Sequence, residues 1–86
     1  MASYKVLIRK SAAGELARIP KKDLGRIVEK IRSLSDQPRP HGIEKLSGQE
    51  RYRIRQGDYR IIYAIDDAGL MVEIYKIGHR SEIYRA

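Results

Sequence analysis

The chain has 86 residues, enough for one domain with one modest core, so any functional site must lie on that core's surface. Lys and Arg number 18 against 11 Asp and Glu, a net charge of +7, which suits a polyanionic partner as well as it suits simple solubility. The absence of cysteine excludes a disulfide framework, a thiol nucleophile and a cysteine metal site, and two histidines, His41 and His79, make no convincing zinc site.

In chain order, "YKVLIRK" (Tyr4 to Lys10) alternates as a strand, with Val6 and Ile8 near its middle. Ser11 is placed to cap a short helix carrying Ala12, Leu16 and Ile19 on one face, interrupted at Pro20. A second helix is predicted from about Pro20 to Leu34, with Leu24, Ile27, Val28, Ile31 and Leu34 on its apolar face and Lys22, Arg26, Glu29, Lys30 and Arg32 in water. "SDQPRPHGIEKLSG" (Ser35 to Gly48), with two prolines and two glycines, reads as an irregular connection. Three strand-like segments follow, Arg51 to Gln56, Tyr59 to Asp66 and Leu70 to Ile77, separated by the turn signals "GD" and "DDAG". The last stretch, "GHRSEIYRA", carries no helical pattern. The expected fold is therefore α+β: an N-terminal strand, a two-helix hairpin and a three-strand antiparallel meander, with the helices on one face of the sheet, in a single domain over residues 1–86. No apolar run approaches the roughly 18 residues of a membrane span, and "MASYKVLIRK" lacks a signal-peptide core, so a cytoplasmic location without membrane partners is expected.

The stretch "RYRIRQGDYRIIY" carries the functional signal. With Gly57-Asp58 as a two-residue turn, Gln56 pairs with Tyr59, Arg55 with Arg60 and Arg53 with Ile62. Tyr52, Ile54, Tyr59, Ile61, Tyr63 and Ile65 then share the helix-packed face, while Arg53, Arg55 and Arg60 gather on the other. A turn longer by one residue would drive Arg60 into the core, so the register that keeps the core dry also clusters the arginines. None of their immediate same-face neighbours reads as acidic. Forked guanidiniums in such a cluster suit phosphate oxygens, although pairing with Glu50, Asp58 or Glu73 is the ordinary fate of arginines on an exposed strand face.

The run "KLSG...YRIRQGDYRIIYAID...VEIYKIGHRSEIYR", from Lys45 to Arg85, resembles the C-terminal half of RelE-type toxins of the RelE/ParE superfamily, and the order of elements extends the resemblance over nearly the whole chain. The blocks "YRIRQGDYRIIY" and "IGHRSEIY" are its specific part. The resemblance implies the toxin of a type II toxin-antitoxin system, an mRNA interferase that enters the A site of the 70S ribosome, cleaves the mRNA there and so inhibits translation. Its implied partners are mRNA, the ribosome and a cognate RelB-like antitoxin with an acidic or amphipathic segment that covers the helical side and the sheet edges. By position, Arg53 and Arg55 match two basic residues before the hairpin turn, Arg60 the arginine after it, Arg80 the basic residue after the last strand, and Tyr84 the C-terminal tyrosine. His79 lies where some relatives carry a catalytic histidine and others a lysine, and Lys45 and Arg51 are further candidates for binding substrate.

The implied reaction is attack of a ribose 2'-OH on the adjacent phosphate, which needs a base, cations for the phosphorane and an acid for the leaving 5' oxygen. Arg53 and Arg60 are the charge stabilisers, Tyr84 orients or stacks on a nucleotide, and Arg80 or His79 is the acid. Arginines supply the cations, so no metal or other cofactor is required. Arginine stays charged, so the base is expected elsewhere: His79, or His41 or Glu44 in the 35–48 connection, or else the ribosome supplies part of the alignment and deprotonation and the toxin acts mainly as a cationic clamp. A ParE-like inhibitor of DNA gyrase and a non-catalytic nucleic-acid-binding module are the alternative readings.

Overall fold

The computed structural model describes residues 3–48 and 50–83. Its elements are β1 (Lys5–Ile8), α1 (Lys10–Leu16), α2 (Lys21–Ser33), β2 (Glu44–Lys45), β3 (Tyr52–Gln56), β4 (Tyr59–Asp66) and β5 (Met71–His79). One sheet runs in the order β1-β5-β4-β3-β2, with β1 parallel to β5 and every other pair antiparallel. The expected strand, helix pair and meander are all present. Tyr84 lies outside the described residues.

Two boundaries differ from expectation for local reasons. Helix α1 begins at Lys10 with Arg9 at its N-cap and no side-chain cap, so Ser11 does not cap it. The Arg9 N–H donates to the Ile74 carbonyl at 3.1 Å, which holds residue 9 in the sheet and starts the helix immediately after it. The connection from 35 to 48 also contains a strand: β2 pairs Glu44 with Arg53 and Lys45 with Tyr52, and the Leu46 N–H closes the pair on the Arg51 carbonyl at 2.8 Å. Two residues are too few for alternation to show in sequence.

Ile54, Ile61, Tyr63, Val72, Ile74 and Ile77 from the strands meet Ala12, Ile19, Ile27, Ile31 and Leu34 from the helical half in one core. Tyr63 is fully buried and donates its hydroxyl to the Pro38 carbonyl at 2.8 Å, which fastens the 35–48 connection to the end of the sheet. Arg39 adds a two-pronged bond to the Asp67 carboxylate at 3.0 and 2.9 Å, and the Tyr4 hydroxyl donates to the same carboxylate at 2.7 Å. Three separate segments are thereby tied at one corner.

Strand β5 contains a bulge. Ile62 faces Lys76, yet its neighbour Tyr63 faces Ile74, so Tyr75 is the extra residue. This lets Ile74 and Ile77, three apart in sequence, both enter the core. Strict alternation would have sent one of them to the opposite face. Past Ile74, β5 has no strand beside it on the β1 side among the described residues; α1 lies there, and the Glu15 carboxylate accepts the Ile77 N–H at 2.9 Å.

Candidate nucleic-acid interface

The β3-β4 hairpin has the register read from sequence: Arg53 opposite Ile62, Arg55 opposite Arg60 and Gln56 opposite Tyr59. Gly57 opens the turn at φ +59, a conformation glycine adopts without strain and the one a hairpin turn with glycine in first position requires. Arg53, Arg55 and Arg60 therefore stand together on the face turned away from the helices. Ile54 and Ile61, at 4% and 0% exposure, hold the other face fixed beneath them.

Facing arginines repel, and the structure shows how this is managed. Arg60 bends back to the hairpin tip, where its Nη1 donates to the carbonyls of Gly57 at 3.2 Å and Tyr59 at 3.1 Å. Arg80 comes to the same tip: its backbone N–H donates to the Asp58 carbonyl at 2.8 Å, and its Nε lies 3.6 Å from the Asp58 carboxylate. Arg53 donates to Glu44 at 2.7 Å, with its side chain only 22% exposed. This corrects the expectation that the cluster has no acidic neighbour on its own face. Glu44 is placed there by β2, the strand that the sequence reading treats as irregular.

Two candidate residues stand apart from the cluster. Gly78 takes the outward position opposite Arg60, so by alternation His79, opposite Tyr59, points to the helix side. Its ring packs edge-on against Tyr59 at 5.6 Å, and its Nδ1 accepts the Ser81 N–H at 3.1 Å and lies 2.8 Å from the Ser81 hydroxyl. His79 lines a cleft of about 250 Å³ with Glu15, Arg18, Tyr59 and Glu82, on the reverse of the sheet from the arginines. Burial, reinforced by Asp23, Glu82 and Asp58, pushes the Tyr59 hydroxyl above its ordinary pKa. Lys45 pairs opposite Tyr52, hence also away from the arginine face, and meets Glu50 at 3.6 Å. His41 is exposed in the 35–48 connection.

Arg51 does join the arginine face. Its guanidinium lies 3.9 Å from the centre of the Tyr75 ring, and Arg9 approaches the same ring at 4.6 Å. Neither Arg9 nor Tyr75 was singled out from sequence as a site residue. The signal was the pair Ile74 and Ile77 in "EIYKIG", whose odd spacing marks the bulge that turns Tyr75 outward. Among the described residues no group of three or more His, Cys, Asp and Glu could hold a metal ion, and no helix is long and apolar enough to cross a membrane.

The family model for the ParE toxin of type II toxin-antitoxin systems, parDE, matches residues 6–84. The chain belongs to this family. Among its relatives, Toxin RelE of Mycobacterium tuberculosis is 39% identical over 84 residues, covering 95% of this chain and 87% of the relative. Among solved structures, the toxin-antitoxin complex RelBE2 from Mycobacterium tuberculosis superposes with a TM-score of 0.81 at 30% identity, covering 91% of this chain and 99% of that one. The archaeal RelE-RelB complex from Pyrococcus horikoshii superposes at 0.82 and 31% identity, covering 93% and 98%. Within the superfamily, this chain is thus a RelE-type toxin by fold and by its named relatives.

Proposed function

We propose that this chain is the toxin of a type II toxin-antitoxin system and acts as a ribosome-dependent endoribonuclease on mRNA in the A site. The observation that carries the reading is the gathering of Arg53, Arg55 and Arg60 on one open sheet face, with Arg80 at its hairpin tip. Solvated charge alone gives no reason to crowd three arginines on one face of a hairpin, whereas a phosphorane gripped by Arg53 and Arg60 does.

In the proposed reaction a phosphate enters between Arg53 and Arg60 and competes with Glu44 for the Arg53 guanidinium. The displaced Glu44 carboxylate takes the proton of the 2'-OH, whose oxygen attacks the adjacent phosphorus. The P–O5' bond breaks, leaving a 2',3'-cyclic phosphate on one fragment and a 5'-OH on the other. Arg80 steadies the charge on the departing 5' oxygen, which takes its proton from water. Glu44 fills the base role that the arginines themselves cannot fill. His79 is left out of the acid role because its ring lies behind the sheet. Tyr84 is retained as the residue that orients or stacks on a nucleotide, on resemblance alone.

The proposed partner is a RelB-like antitoxin, by analogy with the complexes that superpose on this chain. An apolar groove lined by Val6, Ile8, Leu16, Val28 and Ile31, beside the open edge of β1, supports a seat for an amphipathic segment of it, and the +7 charge favours an acidic one.

Primer extension on mRNA from cells expressing the protein tests the reading. Cuts within translated codons that vanish in Arg60→Ala are expected. Induction of the SOS response without RNA cuts would point instead to a gyrase inhibitor, the activity that the ParE name of the family model suggests; neither effect would leave a binding module.

A further inference from the structure

The arginine face does not end at Arg53. Alternation along β3, carried back one residue before its start, puts Arg55, Arg53 and Arg51 on one line, each about 6.6 Å from the next, a spacing comparable to that of successive phosphates on an extended single strand. At the far end of this line the bulge turns Tyr75 outward, and Arg51 and Arg9 converge on its ring, one from the β3 side of the sheet and one from the β1 side. Beside them is a shallow depression of about 540 Å³, lined by Arg51, Tyr75, Glu50, Ala64 and Ile65.

Stacking on an aromatic ring fixes the plane of a guanidinium while leaving its N–H groups directed outward, the arrangement that grips phosphate oxygens. Among the described residues Arg51 has no carboxylate within ion-pairing distance, and its only specific partner is the Tyr75 ring. Arg9 has Glu73 at 3.8 Å, with both side chains well exposed, a weak pair that a phosphate can displace. Glu50 is the acidic member of the rim; it is 91% exposed and turned toward Lys45.

We infer that Arg9, Arg51 and Tyr75 form a second phosphate subsite for single-stranded RNA, separate from the cleavage centre and reached by the strand running along Arg55 and Arg53. The inference rests on the reading of the open face as the RNA-binding surface. Tyr75 is a positioning residue here: it aims the two guanidiniums and does not itself grip phosphate. The subsite lengthens the bound RNA beyond the nucleotides that flank the scissile bond, so it contributes affinity and register, with no part in bond cleavage.

Fluorescence anisotropy with 2'-O-methyl oligouridylates, which cannot be cleaved, tests this on the whole protein. The wild type is expected to bind a hexanucleotide more tightly than a dinucleotide. Arg51→Gln and Tyr75→Leu should each remove about 5- to 10-fold of hexanucleotide affinity while leaving the dinucleotide unchanged. Arg51→Gln should also lower the salt slope by about 0.7, the loss of one phosphate contact. Arg60→Ala should weaken both oligonucleotides, because it acts at the cleavage centre. Hexanucleotide binding unaltered in Arg51→Gln and in the Arg9→Gln/Arg51→Gln pair would overturn the subsite while leaving the cleavage centre intact. A wild type that binds neither oligonucleotide would overturn the subsite and count against the open face as an RNA surface. The arginine variants are surface changes that do not depend on repacking Tyr75, so they decide the matter even if Tyr75→Leu perturbs the bulge.

Discussion

The two faces of the sheet are made by the same strands, residue by alternate residue, yet they follow opposite rules. On the helix side Ile54, Ile61, Tyr63, Val72 and Ile74 are at most 4% exposed and tolerate no polar neighbour without a partner. On the open side Arg53, Arg55 and Arg60 crowd like charges together, against local electrostatic preference. The comparison shows which face governs. Burial selects the register, and the charged face receives its geometry as a consequence, so strain in the site is tolerated because the core beneath cannot slip.

The sharpest way to break this comparison is to change adjacent residues that face opposite ways. Arg60→Ala should lower mRNA cleavage about 10²- to 10³-fold, as expected for losing one charge stabiliser, while moving unfolding free energy by no more than about 0.5 kcal/mol. Ile61→Ala should do the reverse, costing about 2–5 kcal/mol in a denaturant titration while the cleavage rate per folded molecule holds. Equal loss of stability in both would show that the faces are not separable.

In the proposed reaction Glu44 divides binding from chemistry within the open face. Glu44→Gln removes the carboxylate that competes for Arg53, so RNA should bind up to about 5-fold more tightly, while single-turnover cleavage on programmed ribosomes falls about 10²-fold for want of a proton acceptor. Tighter binding with undiminished cleavage would keep the ion pair and remove the base.

The smallest effect concerns the corner that ties the 35–48 connection to the sheet. The bidentate bond from Arg39 and the Tyr4 hydroxyl hold the Asp67 carboxyl at about 2, below its ordinary 3.8. A depressed folded pKa contributes stability above the unfolded value, so this contribution is complete above 3.8 and fades as pH falls from there through about 2. Asp67→Asn should flatten that part of an acid-unfolding profile and leave the profile near neutrality parallel to that of the wild type.

The hairpin was legible because three independent signals agreed: the Gly57 turn, the alternation of Ile and Tyr, and the cost of burying Arg60. The bulge was written in the spacing of Ile74 and Ile77, but reading it required knowing that both are core. Strand β2 was not legible. Glu44 and Lys45 owe their conformation to the ladder offered by β3, a tertiary cause with no local pattern, and with β2 went the partner of Arg53. The face of His79 went unread for a simpler reason: likeness to relatives supplied a candidate role, while alternation past Gly78 decides the face.

The bond from the Ile77 N–H to Glu15 bears on how this protein behaves when crowded. A bare strand edge is an invitation to intermolecular pairing, and half of β5 would offer one if α1 did not lie along it. One carboxylate answers the donor that another molecule would otherwise claim, and its negative charge makes the place unwelcoming to a foreign carbonyl. Protection of this strand edge against intermolecular pairing thus rests partly on a residue remote from the arginines, and selection for solubility can act on Glu15 without touching the arginine face.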